Sequence, residues 1–567
     1  MAQADFQVVG TNDKALFTLK LHRGEGMVLL AMNWKQGKPT SDFVGFAIEY
    51  QEPGETKFWP LRNRLTFSCV DAAKDPNVKQ TLRSPIQKFR WVHLPMNAAA
   101  EGKFTYRVTP VFMSPTHELS YGEPQKAEIA LARETYPKKL DVTFTRGYVT
   151  SQAFVDHYES AGPISTLLPA KAADGLRFVA THPKVTEALP WMGFEARKAI
   201  FEVLDAAVAD DRAAVRVVAY DLNEPELVAK LEKLGARLQV VIDDSDDHAP
   251  ESSAETQAAT RLRKAGAKVV RQSMGNLQHN KMIVVDGKVK KVVCGSTNFS
   301  WRGFYVQSNN AVVLTGPKPV KVFAEAFDVY FSDGTVKGFG ASPATEWTSL
   351  GLSGLDAQVT FSPHANHNAA LASIADDIAK HTTSSLLYSL AFLYQTPGPI
   401  REAVTKQTNS SNVFVYGISD KKVGLDLQMP NGNVAPVYAA QLAGDGVPEP
   451  FKSEPTGGGG TRMHHKFVVI DFDKPTARVY LGSYNFSSVA DTKNGENLLL
   501  IKDRRIATSY MIEALRIFDH YHFRVIETAA KGKKLSLKCP PQKPGEKAWF
   551  EEDWSNPRKK RDRELFA

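Results

Sequence analysis

Cysteine is scarce. The chain of 567 residues has three, Cys69, Cys294 and Cys539. They are far apart, odd in number and not at metal-ligand spacing, so neither disulfide staples nor a zinc site is expected. The opening stretch, Met1-Ala2-Gln3-Ala4-Asp5-Phe6, has no basic segment and no long apolar one, so no secretory signal is visible. The apolar run from Leu386 to Tyr394 is too short to span a bilayer. The expected compartment is the cytoplasm, with peripheral membrane contact or export without a cleaved signal left open. Charge of one sign is in modest excess, a formal +8. That suits an anionic substrate without choosing between nucleic acid and a lipid headgroup.

The first stretch of chain also lacks any helical period. Phe17, Leu19 and Leu21 alternate with Thr18, Lys20 and His22, as a half-buried strand does. Gly26 to Lys35, Phe43 to Tyr50, Phe89 to Leu94 and the alternation Phe104, Tyr106, Val108 are further strands between turns. They predict an all-β sandwich over residues 1–138, like an immunoglobulin or fibronectin type III module, with Trp34, Trp59 and Trp91 in its core. After Tyr136-Pro137-Lys138-Lys139, a linker, the pattern changes. A helix over Phe194–Ala207, a strand over Val215–Ala219, a helix over Pro225–Leu234 and strands over Leu238–Ile242 and Lys268–Arg271 make an α/β sheet with helices on its faces. The order recurs later, with a helix at Ala369–Lys380 and strands at Leu386–Phe392 and Val413–Tyr416. The expected fold class is α/β, with pseudo-symmetric halves at 139–345 and 346–567 behind the sandwich.

One motif occurs in both halves. His279-Asn280-Lys281, an apolar β-branched run and Asp286 precede Gly295-Ser296-Thr297-Asn298; His464-His465-Lys466, a similar run and Asp471 precede Gly482-Ser483-Tyr484-Asn485. On a strand, residues two apart share a side. His279 would then stand with Lys281, Ser296 with Asn298, His464 with Lys466, and Ser483 with Asn485. Each copy is half of a phosphate site, and two halves would set two imidazoles across one anionic cradle. Both copies resemble the HKD motif of the phospholipase D superfamily, from about Leu140 to Arg524.

Phosphodiester cleavage needs a nucleophile, an acid for the leaving oxygen and positive charge around the phosphoryl group. One neutral histidine attacks and forms a phosphohistidine, and the other donates the proton. Lys281, Lys466, Asn298 and Asn485 supply donors. Asp286 and Asp471 are expected to support the strand ends and the lysines. No metal or other cofactor is expected, and a two-step, metal-independent route is also what the resemblance implies. It further implies that Glu496, in Asn494-Gly495-Glu496, holds an imidazole. Asn309 occupies the matching place after the first copy, a departure from the family pattern. If Glu496 serves His464, then His464 is the better donor and His279 the nucleophile; service to the other ring stays open.

Phospholipid at a membrane surface is the favoured partner, with Trp301, Phe304, Tyr305 and Trp191-Met192-Gly193-Phe194 as an apolar rim or, alternatively, core. A nuclease is the alternative. A phosphate-binding scaffold that has lost turnover is the reading from another class. One chain carries both half-sites, so a monomer suffices. The acidic run Asp243-Asp244-Ser245-Asp246-Asp247-His248 fits no ordinary calcium loop and is expected to be solvated surface. The insert from Lys421 to Thr461, with its four glycines, is a linker or a loop gating the site. The tail from Pro557 to Arg563 is a frayed basic terminus, or a contact to phosphate or a membrane.

Overall fold

Alternating burial builds the N-terminal sheets. In the computed structural model, Phe17, Leu19 and Leu21 are buried, while Thr18 and Lys20 between them are half-exposed. The structure describes residues 4–70, 75–131, 134–147, 151–170, 174–391, 393, 397–410, 412–421, 424–428, 434–437, 463–529 and 535–567. By contact the chain divides into two units, Met1–Arg133 with Thr508–Ala567, and Glu134–Ala507.

The first unit holds β1 (Gln7–Val9), β2 (Phe17–Arg23), β3 (Val28–Trp34), β4 (Phe43–Gln51), β5 (Trp59–Pro60), β6 (Arg90–His93), β7 (Lys103–Met113), β8 (Leu119–Tyr121) and β9 (Gln125–Ala130). One antiparallel sheet has the order β1-β2-β3-β6; the other is β5-β4-β7-β8, with β9 also on β7. Phe17, Leu30, Phe46, Tyr106 and Ile129 from the two sheets share one core with Phe550. Trp34 and Trp91 pack against that core, but Trp59 is exposed, with the Lys57 ammonium 3.6 Å over its ring.

Three expectations fail in this unit. Residues 508–567 belong by contact to the β-rich unit, not to the second α/β half. Their end is not frayed: Pro557–Phe566 is a helix, Phe566 is buried, and its carbonyl oxygen meets His22 Nε2 at 2.6 Å. Cys69 and Cys539 form a disulfide, leaving Cys294 buried and free. With a sequence separation of 470 between the partners, only the folded chain brings their Cα atoms to 6.5 Å, within bonding range. Removing this bridge by a Cys69→Ser, Cys539→Ser pair is expected to destabilise the unit by about 2–4 kcal/mol. A urea titration checks it, and an unchanged midpoint would show that the bridge contributes nothing.

The second unit carries two mixed sheets. The first uses β10 (Leu140–Phe144), β11 (Ala214–Ala219), β12 (Leu238–Ile242), β13 (Lys268–Arg271), β14 (Met282–Asp286), β15 (Lys290–Gly295) and β16 (Asn310–Thr315), in the order β10-β16-β15-β14-β11-β12-β13. The second uses β17 (Thr348–Ser349), β18 (Asp356–Ser362), β19 (Ser385–Leu390), β20 (Phe414–Lys421), β21 (Gly424–Gln428), β22 (Val434–Val437), β23 (Lys466–Ile470), β24 (Arg478–Gly482) and β25 (Glu496–Lys502). Its order is β17-β18-β25-β24-β23-β19-β20-β21-β22. The run β18-β25-β24-β23-β19-β20 repeats β10-β16-β15-β14-β11-β12, with the same sense of pairing at each step. Beyond it the sheets differ, since β13 is parallel to β12 and β21 antiparallel to β20. The glycine run of the insert lies outside the described residues.

The helix expected from Phe194 begins earlier. It spans Val185–Ala209 and is interrupted at Phe194, whose φ is 47°. A further helix spans Ala254–Lys264, started by the Ser253 side chain accepting from the Thr256 amide. Among the described residues, no helix is long and apolar enough to cross a membrane.

Candidate active site

Each His-x-Lys segment leads into a central strand, β14 or β23, whose apolar residues are buried on both faces. That placement carries the polar residues ahead of the strand into the interior. His279, Lys281, His464 and Lys466 are all buried. The Lys281 ammonium donates to the His279 carbonyl, and that of Lys466 to the His464 carbonyl at 2.7 Å. The two imidazoles face each other with ring centroids 6.1 Å apart and planes at 69°.

The halves meet through two short parallel bridges, Gln278 with Gly495 and Ser308 with Met463. The Gly495 amide donates to the Leu277 carbonyl at 2.9 Å, and the His464 amide to the Ser308 carbonyl at 3.1 Å. These bridges decide which ring meets which partner. The residue after Gly495 is Glu496, and its carboxylate lies 2.9 Å from His279 Nδ1. The residue after Ser308 is Asn309, whose Oδ1 lies 2.9 Å from His464 Nδ1. The pairing of Glu496 with His464 is thus overturned: each half supports the ring of the other. His464 Nδ1 also lies 3.2 Å from the Ser296 carbonyl. Acceptors at both Nδ1 atoms assign the proton there, leaving each Nε2 with a lone pair.

Burial dominates the electrostatics. It pushes His279 down to about 4, with Glu496 pulling upward and Lys281 pushing further down. Burial brings Lys281 down to about 7, against the pull of Glu496, Asp221 and Asp243. His464 lies well below the usual histidine range, through burial and then the charges of Lys466 and Lys281. Both rings are neutral at pH 7 in the free protein.

The remaining motif residues divide between the site and its frame. Asn298 Nδ2 donates to Asp221 at 2.8 Å. Its Oδ1, like that of Asn485, is buried without a hydrogen bond. Ser296 and Ser483 turn away, towards the next strand. Ser296 donates to Asn309 Oδ1 and accepts from the Asn310 amide; Ser483 accepts from the Asn497 amide. A Cβ on Gly295 would lie 2.7 Å from the Asn310 carbonyl, and one on Gly482 would lie 2.2 Å from that of Asn497. Neighbouring backbone therefore makes the close approach at these glycines. Asp471 accepts from the amides of Thr383, Ser384 and Ser385, and Asp286 pairs with Lys290. Asp471 supports the loop into β19, and neither carboxylate supports its motif lysine as expected.

Two further expectations are corrected. Trp301, Phe304, Tyr305 and Met192 are buried, so they are core, which leaves only the half-exposed Trp191 and Phe194 of the expected rim. The acidic run is not all solvated surface: Asp243 is fully buried and bonds His248 Nδ1 at 2.8 Å. His248, Asp221 and Tyr220 thereby join the surroundings of the first motif. An acid at the end of β12 followed by a histidine was their only signal in the sequence.

Residues 207–331 and 376–517 match the family model described as cardiolipin synthase, PLD-like domain. Both histidine motifs lie inside these segments, which are phospholipase D-like, and the match supports the phospholipase D superfamily. A phospholipase D of Rickettsia felis is 44% identical over 48 residues, 8% of this chain and 22% of that protein. The chain thus spans about a fifth of the length of the curated relatives it matches. Among solved structures, phosphatidylserine synthase of Haemophilus influenzae is 15% identical, with a TM-score of 0.41 over 65% of this chain and 91% of that one. Nuc, a phospholipase D family member from Salmonella typhimurium, is 28% identical, with a TM-score of 0.21 over 23% of this chain and 84% of that one.

Proposed function

We propose that this chain is a metal-independent phosphodiesterase acting through a phosphohistidine, with phospholipid as its substrate and water or an alcohol as acceptor. The observation that carries this reading is the buried pair of imidazoles 6.1 Å apart, with a buried lysine two residues after each. The match to a cardiolipin synthase domain favours lipid over nucleic acid.

His279 Nε2 attacks phosphorus, and the bond from phosphorus to the leaving alcohol oxygen breaks. Protonated His464 gives its proton to that oxygen. His464 then takes a proton from the acceptor, whose oxygen attacks phosphorus as the N–P bond breaks. The proton on His464 arrives with substrate, because the phosphodiester anion offsets the two ammonium charges that depress the ring. His279 is the nucleophile because its ring stays cationic for as long as the phosphoryl group is attached. A lasting cation in a buried site needs a fixed carboxylate, and Glu496 is that group. The β-rich unit, as an immunoglobulin- or fibronectin-like module, would dock the enzyme. Its disulfide suits an oxidising compartment rather than the cytosol.

Phosphatidylcholine vesicles and single- and double-stranded DNA, incubated side by side in EDTA, test the reading with His279→Ala as the blank. Choline release in EDTA, absent from the blank, is the expected result. DNA cleavage without choline release would overturn the lipid assignment, and inertness towards all three and towards an aryl phosphodiester would overturn phosphodiesterase action.

A further inference from the structure

The His248 imidazole sits between two carboxylates that each hold part of the first half-site. Its Nδ1 lies 2.8 Å from Asp243 Oδ2, and its Nε2 lies 3.3 Å from Asp221 Oδ1. The other oxygen of Asp243 accepts from the Gln278 amide at 2.6 Å, directly ahead of His279. The other oxygen of Asp221 accepts from Asn298 Nδ2 at 2.8 Å and from the Ser300 hydroxyl at 3.3 Å. The Tyr220 ring fills the space between, 4.6 Å from the His248 ring and 4.8 Å from that of His279, with the Lys281 ammonium 4.9 Å over it. Glu255 Oε2 approaches His248 Nε2 at 4.0 Å, and Arg271 donates to the carbonyls of Asp243 and His248.

We propose that His248 is a positioning residue of the first half-site, tying the carboxylate that fixes the backbone at His279 to the carboxylate that fixes Asn298. A neutral imidazole has one N–H and satisfies only one of the two aspartates; an imidazolium satisfies both. The surroundings favour that cation. Burial pushes the ring down, but hydrogen bonds to Asp221 and Asp243 override it and bring it up to about 10. The ring is therefore charged across the neutral range, and its clamp does not loosen there. Glutamine offers no second donor at the same geometry, so the link breaks at one aspartate while the other keeps its partner.

This inference rests on the phosphodiesterase reading for its kinetic consequence, but not for its geometry. With bis(p-nitrophenyl) phosphate, His248→Ala and His248→Gln are expected to lower kcat by about 100-fold, the scale of a small misplacement of a reacting group, while KM changes little. The loss should be less than additive with Asn298→Ala, because both act on one network. A second readout does not need turnover. The His279 ring, followed by NMR titration in histidine-labelled protein, should titrate higher in His248→Gln, where Asp221 and Asp243 have lost a neighbouring cation. If the wild type proves inert, the phosphodiesterase reading falls and this titration alone decides the inference. An unchanged kcat in active, folded variants, or an unchanged His279 titration, would overturn it. So would one tightly held divalent ion per chain in dialysed protein, since Asp221, His248 and Glu255 bring ligand atoms within 4.8 Å of one another and His248 would then be a ligand.

Discussion

Alanine at His279 is expected to abolish turnover of every phosphodiester, whereas alanine at His464 should spare the first step, though not turnover, for those whose leaving group needs no proton. The two rings are alike in burial and in carrying a hydrogen-bond acceptor at Nδ1. They differ in what the reaction asks of them. The nucleophile forms a bond to phosphorus with any substrate, so its loss should lower kcat by about 10⁴-fold or more throughout. The acid matters in proportion to the basicity of the leaving oxygen. For an alkyl alcohol such as choline, His464→Ala should lose the full contribution of a general acid, about 10²–10⁴-fold. For p-nitrophenolate, the first step should stay close to the wild-type rate. Phosphoenzyme should then accumulate on His279, because water lacks its base in the second step. Quenched-flow measurement of the nitrophenol burst, followed by peptide mapping of the labelled histidine, reads both effects. A label on His464, or equal losses with both leaving groups in both variants, would reverse or sink the assignment of roles.

How far the sequence reached depended on whether a feature was local. The strands Met282–Asp286 and Lys466–Ile470 were legible because a β-branched run bounded by polar residues has few other ways to fold. The meeting of two imidazoles was legible because the same motif occurs twice. The partner of each ring was not, because it is set by contacts at Gln278–Gly495 and Ser308–Met463. Those bridges leave no local pattern, and spacing within each half pointed to the wrong pairing. Cys69 and Cys539 failed for the same reason, since nothing near either residue marks the other. Asp243 failed differently. Four acids in a run look solvated, yet the first directly follows β12 and turns inward under the Gln278 amide. The buried Trp301, Phe304 and Tyr305 show the ambiguity of aromatic residues, whose composition is the same in a core and on a lipid-facing rim.

Glutamine at Glu496 is expected to lower kcat by about 10³–10⁴-fold, the scale seen when a catalytic imidazole loses its charged partner. The substitution preserves size and an acceptor oxygen, so His279 can keep its Nδ1 proton and its orientation. Only the charge is removed. That charge stabilises the cationic phosphohistidine, and it also sets the ionisation of two neighbours. In the wild type, burial holds His279 at about 4 and Lys281 at about 7, and Glu496 pulls both upward. His279 must be neutral to attack, so activity falls as pH drops through the lower value. Lys281 must be charged to hold the anion, so activity falls as pH rises through the upper one. With bis(p-nitrophenyl) phosphate, where the acid is not needed, kcat/KM of the wild type should be bell-shaped between about 4 and 7. Without the carboxylate both groups lose an upward pull, so both limbs should move to lower pH in Glu496→Gln. An Asn309→Asp substitution should do the opposite to the other ring, raising the pKa of His464 and leaving the His279 limb nearly in place. A Glu496→Gln profile that keeps its limbs while kcat collapses would assign Glu496 to geometry alone. A profile that shifts while kcat is retained would remove the carboxylate from the chemistry and leave His279 to carry its positive charge unaided.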